Sequence, residues 1–306
     1  MAAITLPEFM KMEQDPLRKG VIKTLYTEEK FLQYIPFETI PGLAIPYDQE
    51  ESLPSVAFRK INAAYTPSVG VVNRLVETLK PFGCESDTDR ALISAYGEGQ
   101  RSKRLAMHLH AMAIKYVQTF IYGNSPIGRA GAAFTDVDGF DGLQARMSGG
   151  VAPSATAQMI DATGTTGSNG SSVIVLRLGD RHCCGLQTKD GVAVDDMGLV
   201  GTAKRTQVEH VAGMAVYNGK SCSWIYDITA AAGLTCDLLD QAVDLIDGDP
   251  TLILMTKRSQ RQLKTNAKTA GTLLGTSYDL LGRRINNWGG IPIITTDAMI
   301  DTESVA

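Results

Sequence analysis

The sequence predicts an α+β protein with a short N-terminal helix and extended stretch, a long β-hairpin, a long helix and a strand-rich second half. Three observations predict it. Some twenty residues, EESLPSVAFRKINAAYTPS, separate two strand-like runs and carry two prolines but no period of their own. Helical spacing holds through Leu105, Leu109, Met112, Tyr116 and Phe120. The second half then presents runs such as SSVIVL, SWIYDI and TLILM, of the kind that form strands.

Bulk properties narrow the function. At 306 residues the chain can bury a sizeable core. Apolar content of 44% and charged content of 20% suit a folded protein. The net charge of −4 and the lack of a long basic run argue against a dedicated nucleic-acid-binding domain. No run approaches 18 consecutive apolar residues, so no membrane span is expected, and Lys11, Glu13 and Asp15 interrupt any secretory core.

The five cysteines are odd in number and show no Cys-x-x-Cys spacing, so free thiols are expected. His108 and His110 lie two apart, about 200° around a helix, which is wrong for one metal. His182 and Cys184 would share a strand face without a third ligand. The run GTTGSNGSS has no lysine after it and leads into a strand, the reverse of a phosphate cradle. No catalytic, cofactor or metal residues are therefore assigned, and the chain is not expected to be an enzyme.

The elements follow in order. Asp15 caps and Pro16 opens a helix with Leu17, Val21 and Leu25 as its apolar stripe. Pro36 and Pro41 hold the next stretch extended. GLAIPYDQ and VGVVNRLVETLKPFGC are expected as the hairpin strands, the second continuous to Cys84. Phe58, Ile61 and Tyr65 at the tip have no core of their own and suit contact with another molecule, the alternative being a mobile surface loop with incidental aromatics.

Ser86 with Asp89 resembles a capping box for a helix over about 87–122, on the order of 50 Å long, split or kinked at Gly97 and Gly99. Arg101, Lys103 and Arg104 cluster early in it, as a solvated face or a salt-bridged contact with a neighbour. SSVIVLRLGD and RHCCGLQTKDG are expected to pair. HVAGMAVY and KSCSWIYDI should form a hairpin through Asn218-Gly219, with Trp224, Tyr226 and Ile228 on one face. A helix over CDLLDQAVDLID, the strand TLILM, and a basic helix capped by Thr256 come next. The strand in WGGIPIITTD must find its partner upstream.

These residues resemble, in order along nearly the whole chain, the major capsid proteins of tailed double-stranded-DNA bacteriophages. The matching pieces are DGFDGLQARM after the long helix, LLDQAVDLID, TLILMTKRSQRQL and WGGIPIITTD. One departure stands out: strands similar to VIVLRLGD and SWIYDI follow the Trp-Gly-x-Pro strand in many members, and here they precede it. A reordered connectivity is expected.

The resemblance implies an N-terminal arm (1–41), an extended hairpin loop (42–84), a peripheral domain with the spine helix (85–135 and 205–232), and a mainly axial domain (136–204 and 233–306). It implies a virion protein that assembles in the host cytoplasm as hexamers and pentamers into an icosahedral head around the DNA genome. Contact candidates between subunits are Phe58, Arg59, Lys60, Ile61, Tyr65, Arg101 and Arg104, and the axial corner is Trp288, Gly289, Gly290 and Pro292.

Implied partners are further copies, a portal protein, a cement or decoration protein, and packaged DNA contacted non-specifically. The chain begins at the arm, which points to a separate scaffolding protein or none. Lys60 stands where a crosslinking lysine would have to be, and no acceptor is identifiable. A bacterial nanocompartment shell of the same fold is the alternative, which a neighbouring portal gene would exclude.

Overall fold

The computed structural model describes residues 4–303 except 53, 125–137, 149–157, 165–168, 272–273 and 280. Strand β1 (Ile4–Thr5) and helix α1 (Leu6–Met12) open the chain. Helix α2 (Pro16–Glu28) follows, with Asp15 accepting a 2.9 Å bond from the Leu17 amide. Its buried face is Val21, Ile22, Leu25 and Tyr26, while Leu17 is exposed. A 3-10 turn at Lys30–Gln33 leads to β2 (Pro36–Ile40). The expected arm thus lies folded onto the body over residues 4–40, with Phe31, Ile35 and Phe37 buried. Aromatic and aliphatic burial outweighs any gain from leaving it extended.

Among the described residues, strands β3 (Ala44–Ser52) and β4 (Val71–Thr78) pair only with each other. The second hairpin strand does not run on to Cys84. It breaks at buried Leu79, and β5 (Lys80–Asp89) enters the main sheet beside a strand from the second half. Asp89, rather than Ser86, caps the next helix, accepting a 2.7 Å bond from the Ala91 amide. That helix, α3 (Arg90–Tyr96), ends at Gly97 with φ +79, and α4 (Gly99–Tyr122) is the spine, about 36 Å long. Ser86 lies within β5, so the expected single rod is a strand end, a short helix and a spine.

After α5 (Leu143–Ser148) come β6 (Met159–Asp161), β7 (Ser171–Leu176), β8 (Cys183–Val200), β9 (Ala203–Val216) and β10 (Cys222–Ile228). Among the described residues, two expected pairings are absent. β7 and β8 share no ladder beyond an isolated Leu178–Cys183 bridge. β9 and β10 lie in different sheets. Asn218 has φ −121, not the positive value of a type I′ turn, and its side chain accepts from the Lys220 amide to cap a 3-10 turn. The chain uses this corner to change sheets.

Trp224 and Tyr226 share a face, but a bulge at Asp227 (φ +56) turns Ile228 to the opposite core. Helix α6 (Cys236–Asp244), β11 (Leu252–Met255) and α7 (Lys257–Thr269) then follow, the last capped by Thr256. β12 (Gly275–Tyr278), β13 (Arg284–Trp288) and β14 (Ile291–Thr295) complete the described strands.

One sheet has the order β1-β2-β8-β9-β5 and the other β12-β13-β14-β11-β7-β10-β6. Strand β14 is paired on both sides, parallel to β11 and antiparallel to β13, so its partners do lie upstream. Gly289 (φ +55) and Gly290 (φ +91) make the tight turn between β13 and β14. The expected division at 204/205 differs from the sheets, because β8 and β9 pair along most of their length, and residues 205–232 contribute to both sheets.

Strands β7 and β11 are apolar on both faces. Ile174, Leu176, Leu252 and Leu254 join the core shared with α2 and α4. Val173, Val175, Ile253 and Met255 join a second core under α6 and α7. None of the described helices is long and apolar enough to cross a membrane.

Candidate assembly surface

The hairpin β3–β4 has a fixed root and a free end. At the root, Tyr47 donates to Glu77 Oε1 (3.0 Å) and lies 3.3 Å from the Val216 carbonyl of β9. Arg146 of α5 grips the Glu77 carboxylate with both terminal nitrogens, Nη2 at 2.7 Å from Oε2, and also bonds the Met214 carbonyl. Both partners are largely buried, at 16% and 13% side-chain exposure. Tyr47 packs edge-on against Tyr217, with centroids 4.8 Å apart, and Tyr217 donates to Glu38 of β2 at 2.6 Å. Burial and the nearby Glu77 push the Tyr47 phenol above its ordinary range, so it stays a donor. These contacts tie the hairpin to β2, β9 and α5.

Beyond the root, the described residues from 54 to 69 are all exposed. Val56, Phe58, Ile61 and Val69 are each at least 90% exposed and Tyr65 is 69% exposed. The tip is nevertheless shaped. Asn62 (φ +68) sits in a turn closed by Ala63 N to Lys60 O at 3.1 Å. Arg59 bonds the Ala63 carbonyl and lies 5.0 Å over the Tyr65 ring. Ser68 Oγ reaches the Ser55 carbonyl at 2.8 Å. Among the described residues, none covers the apolar side chains of this shaped loop.

The five tip candidates Phe58, Arg59, Lys60, Ile61 and Tyr65 are therefore together. Arg101 and Arg104 are elsewhere and already engaged. Arg101 pairs with Asp196 of β8 and bonds Thr206 Oγ1 of β9, and its hydrogen bond holds the Asp196 carboxyl below its usual range. Arg104 donates to the Asp87 carbonyl at 3.1 Å. They brace the spine on its own sheet. Trp288 donates from Nε1 to Asp240 Oδ1 at 2.7 Å, joining the glycine turn to α6. Pro292 lies in β14 opposite Asn287.

Sequence reasoning missed the Tyr47–Glu77–Arg146 clamp and a second clasp, in which buried Glu303 accepts from Tyr122 (2.7 Å) and Ser172. No local signal could have found either. Among the described residues no group of three or more His, Cys, Asp or Glu is gathered as for a metal. His110 faces Glu28 (2.9 Å) and His182 faces Ser221 (3.0 Å).

This architecture is similar to that of solved phage shells. A bacteriophage Epsilon15 structure superposes with TM-score 0.57 at 17% identity, covering 88% of this chain and 86% of that one. The bacteriophage JBD30 capsid gives 0.51 at 13%, covering 88% and 90%. An encapsulin complex from Synechococcus elongatus gives 0.45 at 11%, covering 65% and 87%. No curated protein matches the chain. The fold is that of a phage capsid subunit. Residues 49–306 match the family described as major capsid protein GP7, and the chain belongs to that family. It is a structural protein of the phage capsid.

Proposed function

We propose that copies of this chain assemble as hexamers and pentamers into the icosahedral head that encloses a phage double-stranded DNA genome. In this reading the seven-stranded sheet with α6 and α7 is the axial domain. The five-stranded sheet with the spine α4 is the peripheral domain, and the 42–84 region supplies the loop that reaches a neighbour. The N-terminal region 1–41 acts as a brace, laid against the body over residues 4–40. A portal protein, a scaffolding or cement protein, and non-specifically contacted DNA are the further partners, with assembly in the host cytoplasm before release as a virion.

The observation that carries this reading is the tip: four apolar side chains almost wholly exposed on a loop whose root is clamped by a largely buried ion pair. Solvating such a loop costs about 25 cal/mol per Å² of apolar surface, a cost removed when a second copy covers it. The test is Phe58→Ser with Ile61→Ser and Tyr65→Ser. The triple variant is expected to keep wild-type circular dichroism and melting but to yield no closed particles by sedimentation and electron microscopy. Normal particles from that variant, or wild-type particles without DNA in infected cells, count against the proposal.

A further inference from the structure

Helices α6 and α7 both pack on the same face of the seven-stranded sheet, through Leu239, Ala242 and Leu263. Their outward faces carry opposite charge at identical spacing. Asp237, Asp240 and Asp244 stand at i, i+3 and i+7 of α6, and Arg261, Lys264 and Lys268 at i, i+3 and i+7 of α7. Each row spans about 10 Å at 1.5 Å rise per residue. All six side chains are exposed, and among the described residues none of the six joins an ion pair. Asp240 accepts from Trp288 and Lys264 bonds Gln260 (3.2 Å), so one side chain in each row is held in place without being neutralised. The cationic row is conspicuous in a chain of net charge −4.

We infer that the acidic row of α6 in one copy docks on the basic row of α7 in the next. The inference rests on the shell reading, in which a ring gives each copy two different neighbours. Matched length and register let the three carboxylates face the three cations, whereas α6 against α6 or α7 against α7 sets like charges opposite one another. The rows therefore favour head-to-tail order, the arrangement that closes rings. Because the pairs are at an exposed rim, they act on choice of partner and on association rate, and they weaken as salt rises.

A charge-reversal cycle in the full chain tests this. Arg261→Glu with Lys264→Glu reverses one row, and Asp237→Lys with Asp244→Lys reverses the other while leaving Asp240 with Trp288. Each reversal is expected to lower the yield of capsomers and particles roughly tenfold at low salt, and the two combined in one chain to restore most of it. Melting temperature and circular dichroism check that each variant folds. Should a reversal fail to fold, wild-type capsomers decide: association that weakens as salt rises supports the contact, and indifference to salt overturns it.

Reversed variants that assemble normally overturn the inference and leave the shell reading standing. Reversals that impair assembly without recovery in the combination overturn it too. So does an α7 reversal that spares particle yield and lowers retained DNA, which would make nucleic acid the occupant. If the wild-type chain forms no particles, the shell reading fails and the inference falls with it.

Discussion

Two polar residues, buried His210 and partly buried Glu77, set how the body responds to mutation and acid. His210 in β9 lies among Phe37, Tyr116, Met112 and Phe82 beside a cavity of about 20 Å³, and burial lowers its pKa to about 4. The unfolded ring takes its proton near pH 6.5 and the native one only near pH 4. The contribution of neutral His210 is thus complete above pH 6.5 and is lost as pH falls towards 4, at about 1.4 kcal/mol per pH unit. Denaturant titrations from pH 7 to 4.5 should show His210→Phe losing less stability than wild type; parallel curves would refute this. Glu77→Ala leaves Arg146 buried without its carboxylate and should cost about 2–4 kcal/mol. Hydrogen exchange should show β4 amides opening faster than those of β7. Neither residue announces its role in sequence, because the groups that bury or bind each one come from distant parts of the chain.

Elements were legible where the signal was local and hidden where pairing was chosen at a distance. The caps Asp15 and Thr256, the stop at Gly97 and the apolar runs of β7, β10 and β11 were all readable from near neighbours. Asn218-Gly219 carried a strong hairpin signal, yet β9 needed β5 and β8 while β10 needed β6 and β7, so sheet membership overrode turn chemistry. The exit from the spine is another tight place. A Cβ on Gly142 would lie 2.6 Å from the Thr119 carbonyl, beside the bond from its amide to the Gly123 carbonyl. Gly142→Ala should therefore cost about 1–3 kcal/mol and lower the melting temperature by several degrees, whereas Gly20→Ala, with open space around it, should not destabilise. Equal melting of Gly142→Ala and wild type would show that the junction can relax.

At the scale of the whole molecule, a body with well-buried cores carries a loop that the other described residues leave uncovered. The exposed position of Phe58, Ile61 and Tyr65 was readable because apolar residues without a period, between prolines, have no place in a monomer's core. The folded state of residues 4–40 was not, since Pro36 and Pro41 look alike in an arm and in a strand laid on a sheet. Cryo-electron microscopy of the purified assembly at side-chain resolution tests the account most directly. It predicts that Phe58, Ile61 and Tyr65 lie buried against a second copy while the Tyr47–Glu77–Arg146 clamp stays closed. A tip standing in solvent, or folded back on its own subunit, would contradict it.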